Sequence, residues 1–313
     1  QRVLKEPEMK ITQTKWKGLY ACCLENELLK AVFLPQCGGK TVSLVYKPAD
    51  FEAAAQTYRP YLQIKYPQIP FDEGDASGFD EAFPTIIEAA GGEKTDNGFY
   101  MDHGEIWRAP FEVQVCDERL EMFYESYGNA YVYRKTVWLE QNRLCFAIYI
   151  ENLRERVFPC MWTFHGLMRY EEDMRLFYPD EVTRFLNVEN SKELGMNGTF
   201  WQTDAGYDFT KVPPRVADTE LKYYAAEPVR EGRCGYIYPS QHVRCTLEYN
   251  ADSLPYLGMW ITAGKFRGDY NCAWEPSSGF YDGIETAVKN GKYTRLKKGE
   301  PLEITYSLRL ESI

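Results

Sequence analysis

Leu302-Glu303-Ile304-Thr305-Tyr306-Ser307-Leu308-Arg309-Leu310, close to the end of the chain, alternates apolar and polar side chains without a break. Side chains two apart share one face of a strand, so five apolar residues at this spacing specify a half-buried β-strand. Working back, Tyr131 to Leu139 and Leu144 to Ile150 are rich in Tyr, Val, Trp and Ile and are separated by Glu140-Gln141-Asn142-Arg143, which reads as a hairpin. Similar pairs flank Glu25-Asn26 and Gly38-Gly39, and Glu112 to Cys116, Leu120 to Glu125, Cys245 to Tyr249 and Leu257 to Thr262 supply further short strands. Helical periodicity is weak, and the spacing predicts only short turns near Pro48 to Ala55, Ser191 to Leu194 and Gly283 to Val288. No fixed short repeat, low-complexity tract or dividing linker interrupts the pattern. The expectation is one all-β, antiparallel domain over residues 1–313, with Tyr66 to Asn97, rich in Pro, Gly, Asp and Glu, as an extended loop near a cleft.

The composition supports a packed core and narrows the partners. Of 313 residues, 44% are apolar and 15% aromatic, which excludes disorder for most of the chain. Asp and Glu outnumber Lys and Arg by 46 to 36, and no basic stripe offsets the charge of −10, so neither nucleic acid nor an anionic membrane is an expected partner. No apolar run approaches the roughly 20 residues of a spanning helix. The nine cysteines are odd in number, form no C-x-x-C pair and fall mostly in apolar, strand-like stretches. Reduced, buried thiols and a cytoplasmic location are expected, although Gln1 at the first position leaves a removed secretion signal open. A monomer or a homodimer fits equally.

With only three histidines, acid/base chemistry near neutral pH has few carriers. His103 lies in the turn Asp102-His103-Gly104-Glu105-Ile106-Trp107, as a functional group or as a loop histidine bonded to a backbone carbonyl. His165 ends Cys160-Met161-Trp162-Thr163-Phe164-His165, where alternation puts Met161, Thr163 and His165 on one face and Trp162 and Phe164 on the other. It is either a catalytic group or a satisfied core histidine. Glu275, in Ala273-Trp274-Glu275-Pro276-Ser277-Ser278-Gly279, is either a desolvated general base or a strand-end carboxylate paired with Arg or Lys. Asp80 and Glu81, between Phe79 and Phe83, have the character of carboxylates that accept sugar hydroxyls, or of plain solvated charges. A metal site built from His103, His165 and Glu275 lacks any short ligand spacing.

Gly38-Gly39 before a strand, the Asp-His-Gly turn at His103, a histidine ending the Trp/Phe strand at His165, and Glu275-Pro276 before a last strand resemble, in this order, the galactose mutarotase-like (aldose 1-epimerase) superfamily. The resemblance runs from about residue 15 to the end and implies a β-supersandwich with a sugar cleft across one large sheet. It implies that His165 is a general acid, Glu275 a general base and His103 a substrate-positioning residue in the interconversion of hexose anomers, with no cofactor. Asp80, Glu81 and Trp107 are the further substrate-binding residues expected, and Trp162, Phe164 and Trp260 join Trp107 as candidates for a stacking wall. The chain departs from well-characterised members in two places. They have an arginine in the loop before the first histidine, where this chain has Asp80-Glu81, and an aspartate in the strand that here reads Lys222-Tyr223-Tyr224. Those positions touch sugar hydroxyls, so the sugar is left open. Two alternatives stand beside the isomerase: a sugar-binding protein without turnover, and a glycosidase or lyase pairing Asp80 or Glu81 with Glu275.

Overall fold

The strand Leu302–Ser312 lies inside an eight-stranded antiparallel sheet, paired on one side with Arg143–Asn152 and on the other with Val243–Tyr249. Its alternation works as expected: Ile304, Tyr306, Leu308 and Leu310 are buried, while Glu303 and Thr305 face out. The computed structural model describes residues 9–57, 71–74, 76–89, 100–126 and 128–313, so much of the loop expected over Tyr66 to Asn97 lies outside the described residues. The expected hairpin joins Tyr131–Glu140 to Arg143–Asn152 through Gln141-Asn142, with Gln141 in the left-handed region at φ 52°. Left-handed geometry at such a two-residue turn matches the twist of the strands it joins.

A second, thirteen-stranded antiparallel sheet packs against the first. Its middle is a run of six neighbours: Lys40–Tyr46, Phe79–Ala82, Thr163–Gly166, Tyr270–Ser277, Tyr256–Ala263 and Thr219–Ala225. The inner faces interlock through aromatic rings. Phe164 lies 5.0 Å from Tyr306, the Trp162 indole donates to the Tyr133 hydroxyl at 2.9 Å, and the Trp274 indole donates to the Gly235 carbonyl at 3.2 Å. One contiguous apolar core therefore reaches from Cys22 to Leu310. The expected turn near Gly283 is the helix Ile284–Lys289, and no helix of the described residues is long and apolar enough to cross a membrane.

One ion pair pins the two sheets together. Glu81 points inward from Phe79–Ala82 to the Lys135 ammonium, 2.7 Å away on the opposite sheet, and accepts the Tyr306 hydroxyl at 2.7 Å. This corrects the expectation that Glu81 binds substrate. Adjacent residues of a strand face opposite ways, so Asp80 and Glu81 cannot both reach one cleft. Burial pushes the Glu81 carboxyl above its ordinary range even with Lys135 beside it.

Candidate active site

Alternation that sends Phe79, Phe164, Trp274, Leu221 and Tyr223 into the core sends Asp80, His165, Glu275, Lys222 and Tyr224 to the other face of the large sheet. There a cleft of about 300 Å³ opens, at the lower end of the range for small-molecule pockets of roughly 300–1,000 Å³. His103, His165, Glu275, Lys222, Asn271 and Asp282 supply polar groups, and Trp260, Phe71, Phe266 and Leu167 are among its apolar walls. Thr163 pairs with Ser277 and Met168 with Cys272 in one register, which sets His165 and Glu275 at facing positions across the seam.

His165 is fixed from below. Its Nδ1 lies 2.8 Å from Asp80 Oδ1, and the other oxygen of Asp80 meets Lys40 Nζ at 3.0 Å, with Asp80 and Lys40 each only 3% exposed. Burial would raise the Asp80 carboxyl, but Lys40 and His165 outweigh it and hold the group down at about 2. His103 enters from a strained turn, at φ 57° with Gly104 at φ 70°. A Cβ on Gly104 would lie 1.7 Å from the Phe83 carbonyl oxygen, so only glycine fits. The His103 N–H donates to the Ile86 carbonyl at 2.5 Å, its ring stacks on Phe71 with centroids 3.5 Å apart, and its Nδ1 is 2.9 Å from Asp102. Burial pulls this imidazole below its ordinary range, against the pull of Asp102. The two imidazoles meet edge to face at 5.0 Å.

Glu275 is clamped on the other side. Gly258 is its cross-strand partner and also that of Tyr224, so a residue with no side chain separates them. A Cβ there would come within 2.8 Å of the Tyr224 ring, which lies across the gap. From the same strand as Tyr224, Lys222 Nζ reaches Glu275 Oε2 directly, and stands 3.4 Å from Asp282 Oδ1. The Tyr224 hydroxyl donates to that Asp282 oxygen at 2.6 Å. Burial alone would lower the Lys222 ammonium, but Asp282 and Glu275 outweigh it and raise the group above its ordinary value. The paired carboxylate that the sequence left open for Glu275 is therefore realised. Its Oε1 makes no hydrogen bond among the described residues, which leaves that oxygen for a ligand.

The structure thus brings His103, His165 and Glu275 to one cleft, puts Asp80 beneath His165 rather than in the open cavity, and keeps Glu81 out. Trp107 is buried and meets Phe71 edge to face at 5.1 Å without lining the cleft. Trp162 and Phe164 point into the core, so of the four expected stacking rings only Trp260 reaches the cavity. Lys40, Lys222, Asp282 and Phe71 were not among the expected site residues. Lys222 carried a signal, a lysine at an outward position between Leu221 and Tyr223, whereas no spacing marks Asp282. Among the described residues no cluster of three or more His, Cys, Asp or Glu side chains is arranged to hold a metal ion.

No family model matches the chain, and no curated protein is significantly similar to it. Solved structures are. A galactose mutarotase-like protein from Clostridium acetobutylicum superposes with a TM-score of 0.70 at 14% identity, over 99% of this chain and 100% of that one. Another from Lactobacillus casei ATCC 334 gives 0.69 at 17% identity, over 93% and 100%. A galactose mutarotase related enzyme from Lactobacillus acidophilus gives 0.67 at 16%, over 93% and 97%. The chain has the galactose mutarotase-like fold, an antiparallel β-supersandwich.

Proposed function

We propose that this protein interconverts the α and β anomers of a hexose, as an aldose 1-epimerase-like isomerase. The observation that carries the reading is the facing pair His165 and Glu275 on one sugar-sized cleft. Glu275 Oε1 takes the proton of the C1 hydroxyl while His165 gives one to the ring oxygen. The C1–O5 bond breaks, the aldehyde turns about C1–C2, and reclosure runs with the roles reversed. Trp260 offers a ring face to the apolar side of the sugar, and His103 and Asn271 offer hydrogen bonds to its hydroxyls. No cofactor takes part in these steps.

The Lys222 contact favours a second reading, in which the cleft holds a sugar without turning it over, because an ammonium already occupies one oxygen of the base. One experiment separates the two. The approach of freshly dissolved α-glucose, α-galactose and other aldoses to equilibrium rotation is followed with the spontaneous rate subtracted. Glu275→Gln keeps the side-chain size but cannot accept the proton, so sugar binding survives and the catalysed rate falls by about 10²–10⁴-fold, with His165→Asn comparable. If wild type and Glu275→Gln accelerate a sugar equally, Glu275 is not the base. If wild type binds sugars and accelerates none, the binding reading takes over.

A further inference from the structure

Asp80, expected to bind sugar hydroxyls, sits instead beneath the histidine. Its two oxygens are both engaged, Oδ1 by His165 Nδ1 at 2.8 Å and Oδ2 by Lys40 Nζ at 3.0 Å, and neither Asp80 nor Lys40 is more than 3% exposed. An ionised carboxylate only accepts hydrogen bonds, and the buried ammonium of Lys40 keeps this one ionised. The shared proton of the Asp80–His165 contact therefore belongs to the imidazole. A neutral histidine carries one N–H, so if Nδ1 holds it, Nε2 is left as the bare nitrogen.

We propose that Asp80, locked in place by Lys40, is a positioning residue that holds His165 in its Nδ1–H form, so that every proton His165 exchanges with a ligand passes through Nε2. The arrangement makes the acid reversible. Protonated, the ring presents Nε2–H to the cleft; after giving that proton up, it presents a lone pair at the same point and does not need to turn. An anomer entering from either side of the equilibrium then meets the same ring in the form it requires. The strand carrying Asp80 cannot swing away from His165, because Phe79–Ala82 pairs with Thr163–Gly166 in the register Asp80 to His165 and is pinned from behind by Glu81 and Lys135. The consequence for turnover rests on the isomerase reading above, but the tautomer itself does not.

The test is therefore read first without any sugar. Protein labelled with ¹⁵N-histidine is examined by long-range ¹H–¹⁵N correlation at a pH where the imidazoles are neutral, and the three rings are assigned through the His103→Asn and His242→Asn variants. His165 should show a protonated Nδ1 and a bare Nε2 in wild type. Asp80→Asn, whose amide can donate to Nδ1, should move the proton to Nε2, and Lys40→Arg should preserve the wild-type pattern. Wild-type His165 with its proton on Nε2 would overturn the proposal, whatever the fate of the variants. In the polarimetric assay Asp80→Asn should lower kcat by on the order of 10²–10⁴-fold with little change in KM. A fall in binding alone would return Asp80 to the role of hydroxyl acceptor and also overturn the proposal. If wild type turns over no sugar, the isomerase reading fails while the spectra still decide the tautomer.

Discussion

Replacing Lys135 with Met should destabilise the fold as strongly as truncating a large core side chain. Lys135 is fully buried, and its ammonium meets both oxygens of Glu81, at 2.7 and 3.0 Å, across the space between the two sheets. Methionine fills much the same volume, so the loss is electrostatic: a buried carboxylate is left with only the Tyr306 hydroxyl. Breaking a buried pair from one side costs about 3–5 kcal/mol. With an unfolding entropy of about 2.1 cal/mol/K per residue, that lowers Tm by about 5–8 °C for a chain of this length. Urea and thermal unfolding at pH 7 measure it. The pH dependence identifies the cause. Without Lys135 the Glu81 carboxyl in the folded state rises further above its unfolded value, near 4.5, so the folded protein prefers the protonated form. The deficit is then absent below the unfolded value and grows as pH climbs above it. The difference between variant and wild type should shrink as pH falls towards 4, and Lys135→Met combined with Glu81→Leu should recover most of the loss. A deficit below about 1 kcal/mol at pH 7, or one indifferent to pH, would refute the view that this pair pins the sheets.

Two other outcomes follow from burial and close approach. All nine cysteines are free thiols and only Cys116 is exposed, so a thiol reagent should modify one group rapidly in native protein and the other eight only on unfolding; two or more fast thiols would contradict this packing. Gly258→Ala drives a methyl to 2.8 Å from the Tyr224 ring, which should cost about 1–3 kcal/mol and, by loosening Asp282 and Lys222, slow any anomer interconversion; unchanged stability and rate would mean that the ring moves aside freely.

How far the sequence could be read depended on where its period was visible. Leu302 to Leu310, the hairpin at Gln141-Asn142 and the strand from Leu120 came through because half-buried strands write their burial as alternation. The stretch from Glu112 is instead largely exposed and those from Cys245 and Leu257 are buried almost throughout, and these were marked by turn residues such as Asp117, Asn250 and Pro255 at their ends. The same rule applied to Met161 to His165 already separated Trp162 and Phe164 from His165, and the structure keeps them apart by turning both rings into the core. Expecting those rings to stack on a sugar beside His165 set ring chemistry above strand geometry. Phe79 to Ala82 failed differently. Four residues are too few to show a period, and amid acidic residues the stretch read as loop, so Asp80 and Glu81 passed for a pair when they are neighbours facing opposite sides of a sheet.

The pairing of each counter-charge in the site was beyond any local pattern, because the partner comes from another strand. Lys40 reaches Asp80 from one neighbouring strand, and Lys222 reaches Glu275 across an intervening one. Such contacts depend on register between segments 40 to 53 residues apart in the chain, which no single stretch encodes. The carriers of the chemistry are legible one at a time, as a histidine ending an aromatic strand or a glutamate before a proline. The partner that orients each of them becomes visible only once the strands are laid side by side. It follows that the departure noted at Lys222 and the carboxylate expected to bind hydroxyls at Asp80 are parts of one arrangement: the proposed acid is backed by an anion held by a lysine, and the proposed base by a lysine held by an anion. Substituting the backing residues should therefore disturb the acid and the base separately, whereas substituting a group that only binds sugar should disturb neither.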